Sequence, residues 1–335
     1  MKSRFDENNP MQVGGQAVIE GVMMRAPGRV ATAVRRPDGT IALRSEEFRS
    51  LADRYRFLKA PVLRGAVGLI EMLVLGIKTL NYSAEVSLQN EGVTEDSPSR
   101  RTGEEVPPQR KRKDSLILGL TVAGSLLAGA AIFFVTPLLV TTALFSVEQD
   151  PIRFNLVAGI IRLVLLLGYL AGISMMKDVR RLFEYHGAEH KSVFAFESGG
   201  DLDVATAAVQ TRFHPRCGTS FLLLVMLVAI VLFGVLDAIL IAWLGKLTLA
   251  LRLATHLPLI PLVGGVSYEC IRIAARKSTT RWGRLVVAPG LWLQHLTTTE
   301  PDGQQLEVAL VALRAALGMD APSCTMVEDE QAAVN

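Results

Sequence analysis

The sequence predicts an α-helical multi-pass membrane protein with about four transmembrane helices, a small N-terminal β element and cytosolic helical loops. Composition is the first observation behind this. Of 335 residues 50% are hydrophobic and only 20% charged, and the mean hydropathy is +0.34. Soluble domains carry about 25% charged residues, and here the deficit lies in runs of roughly 20 or more apolar residues, the length that crosses about 30 Å of hydrocarbon. Disordered, collagen-like and disulfide-rich secreted classes are thereby excluded. The second observation is the placement of charge. The net charge is only +3, but Lys and Arg cluster on one side of the apolar runs. Three cysteines, Cys217, Cys270 and Cys324, leave an odd thiol and form no C-x-x-C, which points to a reducing compartment. The opening MKSRFDENNPMQVGGQ has no apolar core of a signal peptide, so no cleaved leader is expected.

Residues 1–60 form the N-terminal cytosolic element, with β structure expected over 13–48. RVATAVRR and TIALRSEEF flank Pro37-Asp38-Gly39, a turn tripeptide that suits a hairpin with Gly in the left-handed region. Gly14, Gly15 and Gly21 are read as relieving crowding in a tight sheet, because they are not followed by the helix a phosphate-binding loop requires. Residues 61–88 are apolar, yet Arg64, Glu71, Lys78 and Glu85 recur every seventh residue and draw a charged stripe along one face. This predicts a helix in the membrane interface or packed on the bundle. Residues 89–114 are rich in Pro, Ser and charge, and read as a disordered basic linker that contacts lipid headgroups, with no specific nucleic-acid partner.

Residues 115–176 form a first transmembrane hairpin, with spans at 115–147 and 155–176. Pro137 marks a kink or an end. Residues 218–275 form a second hairpin, with spans at 218–245 and 251–275. Pro258, Pro261, Gly264 and Gly265 predict a broken helix in the last of these, which protein must cover. Arg162, Asp237 and Glu269 fall inside spans and should face the bundle interior or lie near an end. Six Lys/Arg at 100–113, six at 177–216 and five at 272–284 stand against Arg153, Lys246 and Arg252 on the other side. The positive-inside rule then puts both termini and the 177–217 loop in the cytoplasm of a plasma-membrane protein.

The 177–217 loop carries the chemistry. It should be helical over 183–191 or further, with a second short helix at 201–212. The cytosolic C-terminal segment, 276–318, is read as an apolar stretch broken at Pro289-Gly290, a turn over 298–302 and a helix over 306–317; residues 319–335 are a frayed tail. His186, Glu189 and His190 spell H-x-x-E-H. On a helix the two histidines lie one turn apart and can share one metal ion, with Glu189 beside them as general base. His214 and Cys217, in FHPRCG, stand at the mouth of the third span, and imidazole and thiolate are both good zinc ligands. Glu269, near the cytosolic end of the fourth span, is a further candidate ligand, and Arg216 a candidate for holding an oxyanion or lipid phosphate. His256 and His295 are left out, and Cys270 is read as core. The same His and Glu residues could instead hydrogen-bond across an interface and cap helices.

GGQAVIEGVMMR at 14–25, EYHGAEHKSVFAFE at 184–197, HPRCGTSFLLLV at 214–225, SYECIR at 267–272 and PGLWLQHLTTTEP at 289–301 together resemble the YqhQ-like bacterial membrane family, the domain of unknown function 1385. The resemblance runs from about residue 14 to 317. It implies a multi-pass membrane protein described as a predicted metal-dependent enzyme, with no substrate assigned.

Two functions follow as expectations. The first is a zinc-dependent, or other divalent-metal, hydrolase at the cytosolic membrane surface. His186, His190, His214, Cys217 and Glu269 supply the metal ligands, Glu189 and Arg216 the catalytic groups, and the substrate is membrane-embedded or lipid-linked. The second is a membrane adaptor or assembly factor with a structural metal site, docking a cytosolic protein partner. A transporter is disfavoured, because no inverted repeat relates the span pairs.

Overall fold

The computed structural model describes residues 13–88, 108–145, 147–276, 280–320 and 325–326. The protein is mostly helical, with a small antiparallel sheet at its N-terminal end, and the chain divides into two compact units.

The first unit takes residues 1–92, 170–222 and 264–335. Its sheet runs in the order β1 (Gly14–Val18), β2 (Gly21–Ala26), β3 (Arg29–Arg35), β4 (Ile41–Glu47) and β5 (Thr325–Met326). The first four strands are antiparallel neighbours, and the expected hairpin joins β3 to β4. Gly39 takes a φ of +86° in the turn, and the Asp38 carboxylate accepts the Thr40 N–H at 2.8 Å. β5 pairs parallel with β4 at Ala42 and Leu43, so two residues of the expected frayed tail are sheet.

Strand residues alternate between two faces, and both faces are covered. After α1 (Leu51–Arg54), the long helix α2 (Leu63–Leu88) covers one face, where Met23 and Val30 meet Leu75, and Val18, Val34 and Ala42 meet Val86. Three of the charges in its seven-residue stripe are bonded to the protein. Arg64 Nε donates to Glu269 at 2.7 Å, Glu71 accepts from Ser50 and from the Leu51 N–H, and Lys78 donates to Glu46 at 2.7 Å.

The second unit takes residues 93–169 and 223–263. It begins with α3 (Pro108–Ala130), which starts inside the segment expected to be linker; the rest of that linker lies outside the described residues. A π-turn over Ala131–Val135 leads into α4 (Thr136–Leu144) at Pro137, so the proline distorts the helix without ending it. α5 (Pro151–Ser174) runs on into the first unit, where α6 (Lys177–Glu197) and the short α7 (Val204–Ala208) follow. The Asp203 side chain caps α7, which is shorter than the 201–212 expected.

α8 (Gly218–Leu244), α9 (Leu249–His256), a 3₁₀ turn over Leu257–Leu259 and α10 (Ile260–Arg276) form the broken hairpin. Among the described residues four helical stretches are long and apolar enough to cross a membrane: Gly119–Leu144, Pro151–Ser174, Gly218–Leu244 and Leu249–Ala274. They coincide with the spans read from sequence and are compatible with a membrane protein; α2 is not one of them. Within the second unit Asp237 is fully buried and accepts from Asn155, Arg252 and His256 at 2.8–2.9 Å. Arg162 donates to the Phe133 carbonyl at 2.8 Å.

Two further helices complete the first unit. α11 (Arg281–Thr297) continues through Pro289 where a break was expected. A Cβ at Gly290 would meet the Ser220 Cβ at 2.4 Å, so the Pro-Gly pair marks a close helix–helix approach. α12 (Gly303–Ala316) opens with a capping box, in which the Asp302 carboxylate accepts the Gln305 N–H and Gln305 returns the bond. α6 and α12 cover the sheet face opposite α2, with Tyr185, Ala188, Leu306 and Leu310 packed against Met24, Ala31, Ala33 and Leu43.

Candidate functional site

α6 is amphipathic, and its sheet-facing residues carry the motif to the protein interior. Glu189 is 6% exposed and His190 is 2% exposed. Gly187 allows this placement, since a Cβ there would sit 2.1 Å from the Thr299 carbonyl. The chain after α11 therefore runs directly against α6, and Thr299 N–H donates to the Phe183 carbonyl.

His186 Nδ1 lies 2.8 Å from the Thr297 carbonyl, and His190 Nδ1 is bonded to the Arg212 carbonyl. A carbonyl can only accept, so each ring carries its proton on Nδ1 and turns the Nε2 lone pair away from the backbone. Metal-ligating histidines are oriented in this way. Cys217 Sγ is 3.2 Å from His186 Nε2, and the ligand atoms of His186, His190 and Cys217 all lie within 4.8 Å of one another. His190 Nε2 is buried without a hydrogen-bond partner, and Glu189 Oε2 stands 3.5 Å from it. The other Glu189 oxygen accepts the Gly15 N–H at 2.8 Å.

Burial alone would push the Cys217 thiol up, but the charge and hydrogen bond of His186 outweigh it and hold the thiol well below its ordinary value. Burial would likewise lower His186, and the neighbouring thiolate instead raises it to about 9. Without a metal the two form a thiolate–imidazolium pair.

The remaining expected residues are placed differently. His214 is buried, its Nδ1 accepts the Arg216 N–H at 3.3 Å, and its Nε2 faces Glu197 at 3.5 Å. That hydrogen bond leaves the proton on Nε2, so the ring stands beside the cluster, 5.6 Å from His190 between centroids, without offering it a lone pair. Burial lowers its pKa and favours this neutral form. Arg216 is ion-paired with Glu197, which occupies the guanidinium expected to hold an oxyanion. Glu269 is not brought to the cluster, since its carboxylate is bonded to Arg64. His256 lies in the second unit, bonded to Asp237, and His295 is packed on Phe213.

Other residues build the site without having been singled out. Gln294, fully buried, accepts the His214 N–H at 2.8 Å and donates to the His214 carbonyl at 2.8 Å and to Ser220 at 2.9 Å, so it fixes the loop that carries Cys217. Thr297 anchors His186. The signal was PGLWLQHLTTTEP, a motif whose polar Gln and Thr sit in an otherwise apolar stretch.

Residues 60–319 match the family model described as Protein of unknown function (DUF1385). The chain belongs to this family. The chain is also 33% identical over 324 residues to Uncharacterized protein YqhQ of Bacillus subtilis (strain 168), covering 94% of this chain and 95% of that protein. No solved structure matches. Neither description gives an activity or a metal, so nothing in these matches supports the metal-dependent enzyme that the resemblance implied.

Proposed function

We propose that this family member is a metal-dependent hydrolase working at the cytosolic membrane surface on a membrane-embedded or lipid-linked substrate. The observation that carries the reading is the cluster of His186, His190 and Cys217, three ligand atoms within 4.8 Å with both imidazoles anchored through Nδ1. The donor set of two imidazoles and one thiolate fits zinc, and three protein ligands are what a catalytic site uses when it keeps one position open. A divalent ion there supplies Lewis acidity and makes water a better nucleophile at neutral pH. Glu189, pinned through one oxygen by Gly15 and with the other 3.5 Å from His190 Nε2, would be the base for a water held there. His214, beside His190 and with its Nε2 proton facing Glu197, would be the acid that returns a proton to a leaving group. The excess of Lys and Arg in the loops supports cytoplasmic termini and, with them, a site facing the cytosol.

A second reading, a non-enzymatic adaptor with a structural metal, is favoured by the burial of the cluster, Cys217 being 4% exposed. Metal analysis on detergent-purified protein tests both. About one divalent ion per chain, lost in folded His186→Ala, His190→Ala and Cys217→Ala but kept in Glu189→Gln, supports the site. A protein purified without chelator and carrying no metal sinks both readings. Cobalt substitution separates them: an open position binds added azide and shifts the visible spectrum, whereas a closed structural site leaves it unchanged.

A further inference from the structure

α2 has two apolar faces, and the fold accounts for one. Toward the sheet it buries Leu75 and Val86, and its charged seam is bonded to Glu269, Ser50 and Glu46. On the far side Leu63, Ile70, Leu73, Val74 and Leu80 are exposed, Val74 by 63%. Ile70 stands three and four residues from Leu73 and Val74, and Leu63 and Leu80 fall in the same sector of about 120° at 3.6 residues per turn, so the five lie on one side of the helix. A continuous apolar stripe of this kind marks a surface that meets another apolar phase. Immediately before it, Tyr55 and Phe57 are exposed among Arg54, Arg56 and Lys59. Lys59 reaches Asp53 at 3.2 Å but keeps 56% of its side chain exposed. Aromatic rings interleaved with cations suit the headgroup level of a membrane.

The occupant is indicated by what the start of α2 touches. A Cβ on Gly65 would sit 2.7 Å from Tyr268, Gly265 packs on the Val62 carbonyl, and Arg64 is bonded to Glu269. All three partners lie in the last ten residues of Leu249–Ala274, a helix long and apolar enough to cross a membrane. The first turn of α2 is thus fastened to the C-terminal part of a candidate membrane span, within reach of a bilayer. We infer that the outer stripe of α2 and residues 54–59 form a lipid-docking surface, the stripe set among acyl chains and the cations on anionic phospholipid headgroups. α2 then lies along the bilayer as a monotopic helix, one face on the sheet and the other in lipid. The inference uses none of the His–Cys cluster and stands whether or not that cluster binds metal.

The test uses the full chain in nanodiscs of phosphatidylcholine with phosphatidylglycerol. Ile70→Cys and Val74→Cys, in a Cys270→Ser, Cys324→Ser background, each carry a spin label. The expected result is that oxygen, which concentrates in acyl chains, relaxes both labels more than a water-soluble nickel chelate does. The reverse ranking, or shielding from both with spin–spin broadening that vanishes when unlabelled chain is added, would overturn the inference; the latter would show a second copy on the stripe. In parallel, the combined Arg54→Gln, Arg56→Gln, Lys59→Gln variant should retain less phosphatidylglycerol relative to phosphatidylcholine, by up to about fivefold per cation removed. An unchanged ratio would overturn the anionic-headgroup assignment.

Discussion

Gly15 and Glu189 stand 174 residues apart in the chain, and the Gly15 N–H donates to Glu189 Oε1 at 2.8 Å. A strand of the N-terminal sheet therefore aims the carboxylate of the motif helix. A Cβ at position 15 would meet the Met23 carbonyl at 2.2 Å and the Glu189 Cγ at 3.1 Å, so only glycine lets the strand approach. Gly15→Ala is expected to move β1 and break this charge-assisted bond, at a cost of about 2–3 kcal/mol. Thermal unfolding in detergent measures the loss. The cobalt spectrum of the same variant reports whether the cluster survives when Glu189 is displaced.

The thiolate–imidazolium pair sets the pH behaviour of the metal-free protein. His186 is raised from 6.5 to about 9 on folding, so its contribution to stability is fully present below about 6.5 and lost as pH rises through about 9. The stability advantage of wild type over Cys217→Ser should shrink across that window. Cys217 is depressed, so its thiolate absorbance near 240 nm should persist at neutral pH, fall only on acidification, and in His186→Ala titrate at higher pH. Ultraviolet titration in a Cys270→Ser, Cys324→Ser background checks this. An ordinary thiol titration in the His186-containing protein would contradict the pairing.

Periodicity and composition made the four spans, the motif helix from residue 183 onward and the β3–β4 hairpin legible, because each is a local pattern of side chains, although that helix begins six residues earlier, at Lys177. H-x-x-E-H was legible for the same reason: one helical turn aligns its histidines. The rest is tertiary. Nothing local says that Gly15 reaches Glu189, that Glu197 takes Arg216, or that Arg64 takes Glu269 and removes it from the ligand set. The Pro289-Gly290 pair reads as a break by propensity, but packing against Ser220 overrides it. Nor does the seven-residue spacing of the α2 charges say that Arg64, Glu71 and Lys78 bond to neighbouring segments.

Gln294 is the single side chain that satisfies both the N–H and the carbonyl of His214 while also bonding Ser220. Gln294→Leu keeps the volume, strands the His214 N–H in a dry environment and leaves the His214 carbonyl only the Cys217 N–H at 3.3 Å, for an expected loss of about 1–3 kcal/mol. Because the loop then loosens around Cys217, metal affinity should also fall, on the order of tenfold or more. Competition with a chelator of known affinity measures the second effect. Unchanged metal affinity in a destabilised protein would show that the loop is held by other contacts.

Asp237 tests what the buried charges of the second unit do. It is fully buried and binds Arg252, His256 and Asn155, while Arg252 also donates to the Glu148 carbonyl and lies over the Phe154 ring. Removing one partner leaves a buried charge uncompensated, which in buried pairs costs about 3–5 kcal/mol. Asp237→Leu should therefore lower the unfolding temperature sharply. Adding Arg252→Met removes the orphaned cation, so the double variant should be more stable than Asp237→Leu alone, the signature of a coupled pair in a double-mutant cycle. If the two losses simply add, Asp237 and Arg252 act independently, and the network ties α8 to α9 through His256 and to α5 through Asn155.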